Sequence, residues 1–337
     1  MRRRDFIAGL GGAAAAAPSA VWPLAARAQS DKVRRVGILM NAAATNTTFQ
    51  SNLAAFVQAL RQLGWVEGQN VRVDVRWNAG DAQLARAYAA QLIGLMPDVI
   101  LSASTANLGI LRQATNTVPI VFVQVSDPVA QGFISNLARP DGNITGFSNL
   151  EFSVGGKCVE LIKQLVPDLA RVAVMFNPDT SPQSKYFLRT IEAAAQSFAL
   201  QMTTTPVRAT ADIEAAVESI SRKPNSALIL PPDSFTVLHH KLIVELTVRH
   251  RLPVISMLGL YFARAGGLMS YAQGAGLVGQ YRQAADYVDR ILKGAKPGDL
   301  PVQLASDYRL AINRTTAKAL GIEIPPRLLF TADEVIE

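Results

Sequence analysis

Little in this chain suits it to making or breaking bonds. Its 337 residues include one cysteine and three histidines. A lone Cys158 excludes an intramolecular disulfide. Its setting, Lys157-Cys158-Val159-Glu160-Leu161, suits a small buried apolar residue better than a nucleophile. His239, His240 and His250 have no Cys, Asp or Glu at metal-ligand spacing, so no metal site is expected and a surface helix is the plain reading of the His pair. No Ser–His–Asp or Cys–His constellation can be assembled. Gly-x-Gly-x-x-Gly and Gly-x-x-x-x-Gly-Lys-Ser/Thr phosphate loops are missing, and Gly9-Leu10-Gly11-Gly12 belongs to the leader. The expectation is no catalytic residue, no cofactor and no enzyme. Charge excludes another class. The formal charge is +7, of which Arg2, Arg3, Arg4 and Arg27 against Asp5 place +3 in the first 28 residues. The mild excess left carries no Lys/Arg run with interleaved aromatics, so nucleic acid is not an expected partner. With 49% hydrophobic and 18% charged residues, the chain can still bury two ordinary domain cores.

What is present begins with residues 1–28. A basic Arg2-Arg3-Arg4, an apolar Ala8 to Ala17 stretch and Ala26-Arg27-Ala28 form an export signal. The apolar stretch is too short to span a bilayer. Arg3-Arg4-Asp5-Phe6-Ile7 resembles a twin-arginine pattern, with an ordinary secretion signal as the alternative. The mature protein then starts near Gln29 outside the cytoplasm, with no membrane insertion. Retention of the leader as an anchor stays open.

The rest of the chain repeats itself. Val36 to Asn41 runs into an amphipathic stretch, Phe49 to Leu63, and Val172 to Asn177 runs into another, Tyr186 to Phe198. Asn70 to Trp77 is matched by Leu200 to Val207, Asp98 to Thr105 by Ala227 to Ser234, and Val118 to Asp127 by Leu252 to Tyr261. Apolar runs alternating with helical periodicity predict parallel strands with helices on both faces. The expected helices include Asn107 to Thr115, Gly132 to Leu137, Ala211 to Ser221, Val237 to His250 and Leu277 to Leu292. Pro301 to Gln303 and Tyr308 to Ile312 read as short strands, and Pro325-Pro326 as the start of an extended tail. The fold class is therefore α/β, two similar units facing each other across a cleft.

In such sheets ligands sit beyond the carboxyl ends of the strands. That rule selects the loops Asn41 to Thr48, Ser102 to Asn107, Gln124 to Pro128, Asn177 to Ser184, Pro231 to Phe235 and Gly259 to Phe262. Within them, Asn41, Thr45, Ser104, Thr105, Ser126, Asp127, Asn177, Ser181, Asp233 and Tyr261 are the candidate ligand-binding residues. Hydroxyls and free amides where Ser104-Thr105 lead into a helix suit a carboxylate. Asp233, Asp127 and Asp179 suit an ammonium. Tyr261 and Phe262 can cover an apolar group. Each residue alone equally suits helix capping or turn formation.

Several stretches also carry a family likeness: Arg35-Val36-Gly37-Ile38-Leu39, Leu63-Gly64-Trp65-Val66-Glu67-Gly68-Gln69-Asn70, Pro119-Ile120-Val121-Phe122, Leu137 to Gly146, Phe176-Asn177-Pro178, Gly266 to Tyr271 and Ile291-Leu292-Lys293-Gly294. Together they resemble the substrate-binding proteins of ABC transporters typified by tryptophan/tyrosine-binding components. The resemblance implies a type I periplasmic-binding fold, two Rossmann-like lobes joined by a hinge of three crossings. It implies lobe one at 33–146 plus about 273–303, and lobe two at 147–271 plus about 304–330. Thr145 to Asn149, Ser270 to Gln273 and a segment near Gln303 to Tyr308 would be the crossings. It further implies a monomer that captures a small polar solute, an amino acid or small carboxylate, and delivers it to permease subunits of an ABC importer. Ser104, Thr105 and Ser126 would hold a carboxylate, with Asp127, Asn177 and Asp233 facing it. The bland Ala42-Ala43-Ala44-Thr45 loop and the lack of an aromatic cage point away from an aromatic solute. A sensor presenting solute to a membrane receptor, and an enzyme using the same cleft, are the alternatives.

Overall fold

The computed structural model describes residues 33–274 and 276–337; the expected export signal, 1–28, lies outside them. In chain order the first lobe holds β1 (Arg34–Met40), α1 (Thr47–Gln62), β2 (Val71–Trp77), α2 (Ala82–Gly94), β3 (Val99–Ala103), α3 (Thr105–Ala114), β4 (Ile120–Val125) and β5 (Ile144–Ser148). The second holds α4 (Val154–Leu165), β6 (Arg171–Phe176), α5 (Ser184–Ser197), β7 (Gln201–Pro206), α6 (Thr210–Ser221), β8 (Ser226–Leu230), α7 (Ser234–Leu238), α8 (His240–Arg249), β9 (Val254–Ser256), α9 (Tyr261–Arg264) and β10 (Met269–Gln273). The chain then returns to lobe one with α10 (Gly276–Leu292). It ends in lobe two with β11 (Tyr308–Asn313), α11 (Arg314–Leu320), α12 (Pro326–Thr331) and β12 (Glu334–Ile336).

Lobe one is a parallel sheet in the order β2-β1-β3-β4-β5. Its central strands are buried on both faces, which is why they read as continuous apolar runs and not as alternation. Phe56 and Leu60 of α1 and Tyr281 and Val288 of α10 cover one face; Leu92, Leu108 and Leu111 cover the other. Burial of each such side chain contributes about 1.5–3 kcal/mol. Lobe two is a sheet ordered β12-β11-β10-β9-β8-β6-β7 with its own core. Parallel pairing dominates both sheets, as the alternating pattern implies. Among the described residues the one antiparallel strand pair is β10–β11, possible because the chain arrives at β11 from the other lobe.

Four expectations are corrected. Gly132 to Leu137 is not helical: Gly132 has φ +71°, and Ile134 packs into the core from irregular backbone. Val237 to His250 is not one helix: α7 ends at Leu238, His239 is a turn, and α8 starts at His240. Pro301 to Gln303 forms only an isolated bridge, Gln303 with Phe147. Pro325-Pro326 opens α12, because proline suits a first helical turn that has no amide to bond there.

The passages between lobes are tied together. Ser148 donates its amide to the Gln303 carbonyl at 2.8 Å. The buried Gln280 of α10 donates to the Ser148 carbonyl at 3.1 Å and to Gln273 Oε1 at 2.8 Å. Its Oε1 accepts the Gln124 amide at 2.9 Å. Beside them β5 presses onto β4 at Gly146: a Cβ there would lie 2.1 Å from the Phe122 carbonyl oxygen, and its φ is +151°. Only glycine fits.

Candidate functional site

The strand ends of the two lobes meet. Asn41, directly after β1, donates its Nδ2 to Ser234 Oγ, just beyond β8, at 2.6 Å. Behind this contact lies a narrow space of about 50 Å³ between Ser104, Thr105 and Gln124 of lobe one and Thr180, Gln183 and Asp233 of lobe two. Asn149, Met257, Leu258 and Leu277 line both this space and a larger cavity of about 750 Å³. The larger cavity runs between residues 45–52 at the start of α1, Met257 to Tyr261, Gln273 and Gly274 after β10, and the first residues of α10, Gly276 to Val278. Its size falls in the range of small-molecule sites.

Lobe one presents strained, underused groups. Ser104, the N-cap of α3, has φ +92°; its Oγ accepts the Asn107 amide at 3.3 Å. Gln124 has φ +60° and sits where the β4–β5 register slips between Phe122 and Val125. Such a bulge re-aims a side chain. Its amide goes to Gln280, and its Nε2 is buried without a partner. Non-glycine residues at positive φ cost about 1–3 kcal/mol each and cluster where function needs them. Thr105 Oγ1 accepts the Ser126 amide at 3.4 Å, and Ser126 Oγ donates to Asn149 Oδ1 at 3.0 Å.

Lobe two presents a closed network. Asp233 Oδ2 accepts the Asn177 amide at 2.8 Å; its Oδ1 accepts the Phe235 amide at 3.0 Å and the Thr180 hydroxyl. Burial nevertheless dominates these bonds and pushes the Asp233 pKa up. Ser181 Oγ donates to the Pro232 carbonyl at 2.7 Å, and so does Gln183 Nε2, also at 2.7 Å. Asn177 Oδ1 accepts the Asp179 amide, while the exposed Asp179 carboxylate pairs with Arg208.

Of the sequence-selected residues, the structure brings Ser104, Thr105 and Asp233 to the narrow space and Thr45 and Tyr261 to the larger cavity. Asn41 bridges the lobes beside them. Ser126, Asn177 and Ser181 lie behind the lining and hold it. Asp127 caps the turn at Ala130 and lines neither space. Sequence reasoning selected the loops of Gln124 and Gln183 without singling out either residue, and missed Asn52. Eight buried side-chain N or O atoms among the described residues lack a partner, and four sit on lining residues: Asn52 Nδ2, Gln124 Nε2, Gln183 Oε1 and Tyr261 OH. Each such group costs about 1–3 kcal/mol until something bonds it. The one prior signal was Gln124 itself, a polar residue within Ile120-Val121-Phe122-Val123-Gln124-Val125.

The family described as ABC transporter substrate binding protein matches residues 42–336. The chain belongs to this family. Among individual relatives, a tyrosine-binding protein of Clostridioides difficile is 24% identical over 271 residues, spanning 80% of this chain and 76% of that one. A conserved domain protein of Vibrio cholerae has a crystal structure 28% identical to this substrate-binding chain, with a TM-score of 0.80; the match covers 90% of this chain and all of the other. An ABC domain from Streptococcus pneumonia in complex with L-Trp is 24% identical, with a TM-score of 0.77 over 90% and 99% of the two chains. Among the described residues no helix is long and apolar enough to cross a membrane, and no cluster of three His, Cys, Asp or Glu gathers.

Proposed function

We propose that this protein is the extracytoplasmic solute-capturing component of an ABC importer. A small polar solute enters between the lobes, bridges them, and favours the closed arrangement that then docks on permease subunits. The observation that carries this reading is the cavity between the strand-end loops of the two lobes, with unsatisfied polar groups from both on its walls. A ligand shifts lobe closure only by its differential affinity for the closed form, and a guest bonded to Gln124 on one side and Gln183 on the other has that affinity. Family membership supports the transporter role, and the relatives named for tyrosine and complexed with L-Trp support an organic solute of similar size. Export by the twin-arginine route, a periplasmic location and a monomeric state belong to the same proposal. So do lobe limits of 33–146 with about 273–303, and 147–271 with about 304–330.

The test is a thermal-shift screen over amino acids, small carboxylates and amides, followed by small-angle scattering with each hit. A solute at a hundredfold excess over its dissociation constant adds about 2.7 kcal/mol of stability, and the scattering radius should shrink with it. Stabilisation without compaction would refute closure. A hit that binds one isolated lobe with undiminished affinity would refute the bridging role.

A further inference from the structure

The chemistry of the walls narrows the solute further, on the premise that the cleft binds one. Taking an ammonium group out of water demands acceptors, and a negatively charged one above all, because an unpaired buried charge is far costlier than an unpaired dipole. Among the described residues lining either space, Asp233 is the only carboxylate. Its oxygens are already bonded by three donors of its own lobe: the amides of Asn177 and Phe235 and the Thr180 hydroxyl. Neighbouring Ser234 is engaged with Asn41. At most one acceptor position is left on Asp233, too few for the three hydrogens of an ammonium.

Donors, in contrast, are in surplus. Asn52, only 1% exposed, has an unpartnered Nδ2, and Gln124 has an unpartnered Nε2. The ten-residue helix α3 begins at the narrow space. Ser104 takes up the amides of Asn107 and Leu108, through its Oγ and its carbonyl, which leaves the first-turn amides of Thr105 and Ala106 for an anion. Lys241 stands on the cavity rim and forms no ion pair among the described residues, whereas Arg264 is held by two bonds to Glu334. The unpartnered groups of lobe two on these walls are neutral: the Tyr261 hydroxyl and Gln183 Oε1, whose orientation is fixed because Nε2 donates to the Pro232 carbonyl. A neutral acceptor of that kind suits a hydroxyl.

We propose that the solute is an organic acid whose second polar group is uncharged, a 2-hydroxy or unsubstituted carboxylic acid, and not an α-amino acid. The carboxylate lies at Gln124 and the start of α3, the hydroxyl against Gln183, and the carbon skeleton extends into the larger cavity along Leu277. Selection against the amino acid comes from what the cleft lacks.

Isothermal titration of the protein with matched sets decides it: phenyllactate, 3-phenylpropanoate and phenylalanine; 2-hydroxy-4-methylpentanoate, 4-methylpentanoate and leucine. The expected result is that an acid without the ammonium binds at least tenfold more tightly than its amino-acid partner. An amino acid that binds as tightly as its partners overturns the inference. Binding of neither class, while some other solute compacts the lobes, overturns it too and leaves the proposed function standing. Absence of any compacting solute sinks that function instead. Gln183→Glu supplies the missing charge and should move the preference at least tenfold toward phenylalanine or leucine; an unmoved preference counts against the assignment.

Discussion

The two lobes share a plan and differ in how their strand-end loops spend their hydrogen bonds. In lobe two, Asp233 gathers Asn177, Thr180 and Phe235, while Ser181 and Gln183 hold the Pro232 carbonyl. Those loops are bonded before anything binds, save for the neutral Gln183 Oε1. In lobe one, Ser104 and Gln124 sit at positive φ, and Gln124 and Asn52 keep amide hydrogens with nothing to bond. The wall of lobe two is largely bonded within itself, and the wall of lobe one holds the unspent donors. The strained wall is the one that supplies donors to a guest, which fits the general trade between local stability and function.

That contrast can be broken by mutation. Asp233→Ala should do the most damage, stripping three donors of a buried acceptor and costing about 3 kcal/mol or more. Urea unfolding should show the loss, and Asp233→Asn should restore part of it. The same pair carries a pH signature. The folded pKa of Asp233 lies above the ordinary 3.8, so between those two values the folded state binds more protons than the unfolded one. Its contribution to stability must then fall as pH rises through that window. The stability difference between wild type and Asp233→Asn should narrow or reverse across it; a difference that grows with pH would contradict a burial-dominated shift.

A change on the other wall should have the opposite sign. Gln124→Gly removes a side chain that no protein group bonds and releases the φ +60° strain, so stability should rise by about 0.5–1 kcal/mol. Affinity for whichever solute the screen finds should drop about tenfold, equivalent to about 1.4 kcal/mol. A variant both less stable and fully binding would remove the distinction between the walls. The smallest effect belongs to Asn41→Ala, which deletes the single Asn41–Ser234 bond between the lobes. Stability should change by about 1 kcal/mol or less, while solution scattering without ligand should report a more open molecule.

Much of this architecture could be read from residue order. Continuous apolar runs gave the central strands of both sheets, and the strand-end rule led to the loops that hold Ser104, Thr105 and Asp233. The failures have physical causes. Ile144 to Ser148 contains a glycine and reads as a linker, yet it is β5, because only glycine lets it lie against Phe122. Phe133, Ile134 and Leu137 have helix-like spacing but reach the core from an irregular loop. Gln124 and Gln183 fall in loops that the strand-end rule selects, but nothing in the order of residues separates them from their polar neighbours there. Asn52 was hidden because the polar face of a helix looks uniform until the opposite lobe is in place.

The bridge at Gln280 has a mechanical consequence. Gln303 is bonded to Ser148, Ser148 to Gln280, and Gln280 to Gln273, so the links run without interruption across all three passages. No passage can pivot alone without tearing a bond from its neighbour. Any turning of one half against the other that kept these bonds would have to bend the three passages together.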